Sequence, residues 1–405
     1  MNKVSFSICF LLILLIGCTP KNIARNDNTS AQGEGVIDVN VLTFKDLGEV
    51  DNLRFVRNSS ILFTDGELVH LIDLNKLKAV IFPQKNETSA VHIKSQKLAL
   101  GLSDGRILLL DTVTTKLIDA YLNRMVPQSL VFSPDGTVLA IDTGATLHIL
   151  NLIEGKSVHK FYQSGSGPYQ FSPGGKYLAF RTVINGDMKN STVNQYDLST
   201  NEMYSEFKIE GTIRDLKYSP DGKLLAVNVS DPGGLIKPYE TRLHLFDAKT
   251  GKELFKLEYD EYIIDMIFTP DGEKLAIGTA KGSLAQNGII RIIQISDGDV
   301  LAKFEDDNKI LDLDFTSKKG FLAAVSGTNT IYGRHSKLMI FDLKTSERVY
   351  TLKSDVFANS CSFSEDGRFL VFGGRSSPVR ILDFAPHKPT PPSGNYLEMV
   401  QNDRL

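Results

Sequence analysis

The chain has 405 residues, ordinary apolar content and a formal net charge of -3 at neutral pH, so it can bury a full-sized core without metals or disulfides. Acidic and basic residues nearly balance and no long Lys/Arg run occurs, which excludes a dedicated nucleic-acid surface, because phosphate binding needs clustered positive charge. The cysteines are Cys9, Cys18 and Cys361, too few for a disulfide framework.

The amino end differs in kind from the rest. Lys3 supplies a positive start, Val4 to Ile16 form an apolar run of about 13 residues, and Leu15-Ile16-Gly17-Cys18 closes it. A spanning helix needs about 20 apolar residues, so the run reads as a targeting segment. The closing tetrapeptide resembles the lipobox of bacterial lipoproteins. That resemblance implies lipid transfer to the Cys18 thiol, cleavage before it, and anchoring by two or three acyl chains. Residues 1–17 are then a signal peptide and 18–35 a polar tether. In similar Gram-negative lipoproteins an Asp after the cysteine favours the inner membrane; Thr19 stands there, which points to the outer membrane. Cys361 would remain as the free thiol, and its setting in Ser360-Cys361-Ser362-Phe363 predicts a buried, inert strand residue.

From residue 36 onward the chain repeats. The clearest copies are Val131-Phe132-Ser133-Pro134-Asp135-Gly136, Tyr218-Ser219-Pro220-Asp221-Gly222, Phe268-Thr269-Pro270-Asp271-Gly272 and Phe363-Ser364-Glu365-Asp366-Gly367, with Phe171-Ser172-Pro173-Gly174-Gly175 close behind. Weaker copies start at Phe55, Ile93 and Phe315. The motif encodes a hairpin: an apolar strand ends in an aromatic, Pro sets φ, Asp bonds its own backbone and Gly accepts positive φ. A second apolar strand follows, then a third ending at Asp73, Asp111, Asn151, Asp197, Asp247, Gln294, Asp342 or Asp383, at intervals of roughly 38 to 50 residues. A fourth, half-exposed strand follows seven of the eight ends.

After the eighth end come Pro386, Pro389, Pro391 and Pro392, which cannot form a sheet ladder. Val36 to Phe44 alternates correctly and is the strand left over to close the ring as the outer strand of the last blade. The expected fold is therefore all-β: a single β-propeller of eight four-stranded blades over 36–385, with 386–405 a Pro-rich tail. Seven blades is the alternative, if the Phe55 copy is only a cap. These repeats resemble the WD-repeat family and its bacterial relatives, the propellers of the Tol translocation type. They depart in having no tryptophan; Ile72, Leu110, Leu150, Tyr196, Phe246, Ile293, Phe341 and Leu382 stand in its place, so packing survives and the hydrogen-bond network through Trp does not.

Two features are candidates for a site. From the second strand to the end of the third, blades 4–7 use roughly 19 to 22 residues where the others use roughly 11 to 13. The four contiguous insertions, 183–193, 228–242, 279–288 and 326–337, share one face in WD-type blades. They carry Lys237, Tyr239, Arg242, Tyr332, Arg334 and His335, residue types common at interface hot spots. Three residues before the motif aromatic, blades 5–7 place Asp215, Asp265 and Asp312 where other blades have Asn52, Ala90, Ser129, Pro168 and Ser360. This arc at the channel mouth suits a cation, a basic peptide or a substrate; the plainer reading is that each Asp accepts backbone hydrogen bonds near its own blade.

Catalytic constellations are weak. The seven His residues are scattered, no Gly-x-Ser-x-Gly elbow occurs, and Gly165-Ser166-Gly167 precedes a strand and lacks a following Lys. No metal and no cofactor are assigned. The expected function is a monomeric, non-enzymatic protein-protein interaction scaffold of the bacterial cell envelope, docking another envelope protein on the long-loop face and touching membrane only through its lipid. Asp247-Ala248-Lys249-Thr250-Gly251-Lys252 is similar to blades of a lipoprotein propeller of outer-membrane assembly, which implies a role there. The alternative is a lactonase-like, metal-dependent hydrolase, or a small-ligand or metal binder, using the central channel.

Overall fold

The computed structural model describes residues 40–44 and 50–384, except 58, 65–68, 75–77, 83–85, 93, 115, 123–124, 163–166, 185–186, 232–240, 282–286, 317–318, 331–332 and 375–376. The segments 1–17, 18–35 and 386–405, Cys18 included, lie outside the described residues. Each repeat folds as a four-stranded antiparallel sheet, and there are eight. The Phe55 copy is a full blade, so eight stands and seven is set aside. All eight third strands end where the repeat predicts, from Asp73 in Val69–Asp73 to Asp383 in Ser377–Asp383.

Blade 8 is built from both ends of the chain. Asn40–Phe44 pairs antiparallel with Ser377–Asp383, from Asn40 opposite Asp383 to Phe44 opposite Val379. Residues 36–39 of the predicted closing strand lie outside the described residues. The first strand of blade 8, Ser360–Phe363, in turn contacts that of blade 1, Asp51–Arg57. First strands of successive blades thus line a central channel, and the ring has no open end.

The aromatic-Ser-Pro-Asp-Gly turn works as its chemistry requires. In blade 5 the Gly222 N–H donates to Ser219 O at 2.8 Å with Gly222 at φ 72°, and Asp221 Oδ1 accepts from Ser219 Oγ at 2.6 Å and Lys223 N at 3.0 Å. The turn also touches its neighbour: a Cβ on Gly222 would stand 3.4 Å from Pro173 of blade 4. The side chains of Asp111, Asn151, Asp197, Asp247 and Asp342 at third-strand ends cap the next turn; Asp111 Oδ1, for example, accepts from Val113 N at 2.9 Å and Thr114 N at 2.6 Å.

The core is distributed as wedges between adjacent blades. All eight residues at the missing-Trp position are buried, each contributing about 1.5–3 kcal/mol by leaving water. In six blades a β-bulge in the third-to-outer pairing falls just before that residue, as between Leu245 and Phe246, and turns it into the wedge. The Tyr196 hydroxyl is buried without a hydrogen-bond partner among the described residues. Cys361 is buried and free, and burial pushes its thiol up.

Candidate functional site

Antiparallel meanders place the second-to-third-strand connections of all blades on one face, together with the links between blades. On that face the insertions of blades 4 and 7 are β-ribbons and not the loops the sequence suggests. Tyr177–Ile184 pairs with Asp187–Asp197, and Phe321–Thr330 with Gly333–Asp342. Thr182, Val183, Thr192 and Val193, and again Thr328 and Thr330, are β-branched residues that favour a pleated ladder over coil. In blade 5 the strands Leu224–Ser230 and Thr241–Asp247 end around a stretch whose 232–240 lie outside the described residues. In blade 6, Lys281 still bridges Asn287 beyond the strands.

The three aspartates sit at one level of the first strands of blades 5, 6 and 7, Thr212–Tyr218, Tyr262–Phe268 and Ile310–Phe315. A register shift precedes each, leaving Arg214, Ile264 and Leu311 as extra residues and re-aiming the side chain that follows. Asp265 accepts the Met266 N–H through Oδ1 and the Leu313 N–H of blade 7 through Oδ2, both at 2.9 Å. Asp312 Oδ2 accepts the Cys361 N–H of blade 8 at 2.7 Å. Asp215 Oδ1 accepts the Leu216 N–H at 2.8 Å, and its Oδ2 lies 3.5 Å from Lys217 Nζ. Asp265 and Asp312 therefore reach the next blade, where the sequence suggests bonds within their own.

Asp314, which the sequence reading passes over, does the same one pleat along, its Oδ2 accepting the Phe363 N–H at 2.6 Å. The signal was the acidic alternation Leu311-Asp312-Leu313-Asp314-Phe315. Gln170 Oε1 plays the neutral version, accepting the Tyr218 N–H of blade 5 at 2.6 Å. Burial, with the Asp265 charge adding to it, pushes Asp312 up to about 8, and burial pushes Asp314 up to about 6. Burial likewise raises Asp215 and Asp265 above the usual carboxylate range. Burial works to lower Lys217, but the carboxylates of Asp215, Asp265 and Asp312 outweigh it and hold the ammonium charged. Among the described residues no group of three or more His, Cys, Asp or Glu is arranged to hold a metal ion.

No protein-family model matches the chain. The serine-threonine kinase receptor-associated proteins of Bos taurus and Homo sapiens are 23% identical to it over 225 residues, and that of Gallus gallus is 24% identical over the same length. These matches cover 54% of this chain and 62% of each relative, less than two-thirds of the relatives' own length. Among solved structures, the computationally designed Ika8 protein aligns with a TM-score of 0.65 at 12% identity, over 84% of this chain and 97% of that one, a likeness of fold alone. The chain is a WD-repeat-like β-propeller.

Of the partner residues anticipated on this propeller, Lys237, Tyr239 and Tyr332 lie outside the described residues. Arg242 is half-buried and already engaged: its Nη2 donates at 2.7 Å to the carbonyl of Glu210, the last residue of the blade 4 outer strand, and pairs with Asp231 Oδ1 at 3.3 Å. Arg334 and His335 are exposed on the blade 7 ribbon, His335 Nε2 lying 3.1 Å from Asn308 Oδ1. Arg334 and His335 are thus consecutive exposed residues of the blade 7 ribbon, and Arg242 ties blade 5 to the outer strand of blade 4.

The propeller has one further feature that the sequence did not disclose. Contact between neighbouring first strands is thinnest between blades 3 and 4. Pro168, lacking an N–H, ends the ladder, so the first strand of blade 4 is only Tyr169–Phe171. The second strand continues past it to Ile184. The gap is a cavity of about 460 Å³ whose lining includes Ser129, Asp142, Gly167, Tyr169, Arg181 and Arg214. The trace in the sequence was Gly167-Pro168 just ahead of the motif aromatic.

Proposed function

We propose that this propeller is a protein-interaction scaffold of the bacterial cell envelope, docking a partner protein across the face that carries the extended hairpins of blades 4–7. The observation that carries this reading is the contiguity of those extensions, two of them paired β-ribbons, on a closed scaffold. Ribbons present side chains at low entropic cost, which favours association. The distant likeness to receptor-associated proteins supports a binding role. The lipobox-like tetrapeptide at Cys18 supports attachment to a membrane through acyl chains, Thr19 supports the outer membrane, and the likeness of the blades to an assembly-machinery propeller supports work in outer-membrane protein assembly.

The test is in-cell crosslinking of the full chain beside a variant whose blade 4 and blade 7 ribbons are cut to the length of the blade 2 hairpin, with captured proteins identified by mass spectrometry. A partner held by the wild type and lost from the folded variant is the expected result. Identical or empty capture from two folded proteins would overturn the reading. Globomycin-type inhibition of lipoprotein processing should shift the full chain to a larger, unprocessed species if Cys18 is lipidated.

A further inference from the structure

The cavity between blades 3 and 4 gathers two guanidinium groups where the inner strand falls short. Arg181 extends from the second strand of blade 4, is 6% exposed, and its Nη1 donates to Ile213 O of blade 5 at 3.1 Å. Arg214 is the bulged residue of the blade 5 first strand and is exposed. Its Nε donates to Ser230 Oγ at 2.7 Å, its one hydrogen bond among the described residues, and the residue lines the cleft. Burial first, and then the charge of Arg214, press the Arg181 cation toward its neutral form.

The carboxylate in the lining is Asp142, itself buried, with Oδ1 accepting the Gly144 N–H at 2.7 Å. Among the described lining residues, two guanidinium groups accompany one carboxylate. Arg181 and Asp142 are buried and Arg214 is exposed, so an anion entering the cleft meets two guanidinium groups, while the Asp142 charge disfavours a dianion such as phosphate relative to a monoanion. Guanidinium forks take carboxylates in a bidentate geometry. Val131, Pro168, Tyr169 and Ile213 complete an apolar wall. A Cβ on Gly167 would lie 3.1 Å from Arg181 Nε, so glycine keeps that approach open. The volume is that of a small-ligand site, and the cleft lies where interblade links emerge, on the face of the ribbons.

We propose that this cleft is a carboxylate-recognition site that takes the acidic chain end, or one acidic side chain, of a short peptide segment, with Arg181 and Arg214 as the donors. It rests on the scaffold reading above and names the chemistry of the segment the scaffold would hold.

The full chain is applied to an array of immobilised tetrapeptides in four sets: free carboxyl ends, internal Asp or Glu with amidated ends, phosphoserine with amidated ends, and neutral amides. Retention on one or both carboxylate sets over the neutral amides is expected, the set retained telling chain end from side chain. Retention should weaken with added salt. Arg214→Gln, at an exposed position, should lower it about tenfold, the loss of one charge-assisted hydrogen bond, and Arg214→Lys should recover part of it. No retention of either carboxylate set, preference for phosphoserine, or equal retention by Arg214→Gln would overturn the proposal. The array reads the cleft and the crosslinking reads the ribbons. A blank array beside wild-type capture removes the cleft alone, and a positive array beside empty capture removes the scaffold alone.

Discussion

The Asp312 carboxylate accepts the backbone N–H of Cys361 at 2.7 Å, fastening the inner strand of blade 7 to that of blade 8 across the channel wall. Burial and Asp265 hold this group protonated up to about pH 8, against about 4 for an unfolded Asp. A raised folded-state value means that the folded chain binds the extra proton between those limits. The stabilisation is therefore complete below about pH 4 and lost as pH rises through about 8. The melting temperature should fall between pH 5 and pH 8.5. Asp312→Asn keeps an oxygen for the Cys361 N–H and removes the charge, so its melting temperature should vary less over that range and match or exceed the wild type at pH 8.5. A wild-type profile flat from pH 5 to 8.5 would count against this account.

Glu261 of blade 6 is 4% exposed and forks onto Arg291, Oε2 to Nη1 at 2.6 Å and Oε1 to Nη2 at 3.0 Å, with Thr279 Oγ1 also donating to Oε2 at 3.1 Å. Glu261→Gln strands a half-buried guanidinium and should cost about 3–5 kcal/mol. The double variant Glu261→Met with Arg291→Met should recover most of it, measured by urea denaturation.

Two glycines of the same turn family should respond oppositely to alanine. Gly136 sits at φ 69° and a Cβ there would collide with the His92 ring of the preceding blade, so Gly136→Ala should cost about 1–3 kcal/mol. Gly174 has open space around a would-be Cβ, and Gly174→Ala should stay within about 0.5 kcal/mol. Parallel thermal melts decide the contrast.

Deleting residues 1–44 removes the outer strand of blade 8 and bares the edge of Ser377–Asp383. The truncated protein should melt earlier and elute partly as aggregate on size exclusion, because an exposed ladder pairs with other chains. A variant lacking only residues 1–35 should behave as the full ring.

The period, the hairpin turns, the third-strand ends and the strand that closes blade 8 were all legible because each rests on contacts a few residues apart or on the alternation of one strand. Ser219, Asp221 and Gly222 make their turn among themselves, so composition at fixed offsets suffices to see it. The insertions of blades 4–7 were visible as extra length. Whether that length coils or pairs depends on a register, such as Thr328 opposite His335, that residue counting does not contain.

By itself the sequence determined an eight-bladed ring and how it closes, since turn chemistry and strand period are local properties that repeat. Only the tertiary structure decided what the channel acids do and where a cleft opens. Asp312 and Cys361 are 49 residues apart, and Arg181, Asp142 and Arg214 come from three different blades; their meeting is set by how neighbouring blades stack and by a first strand that Pro168 cuts short.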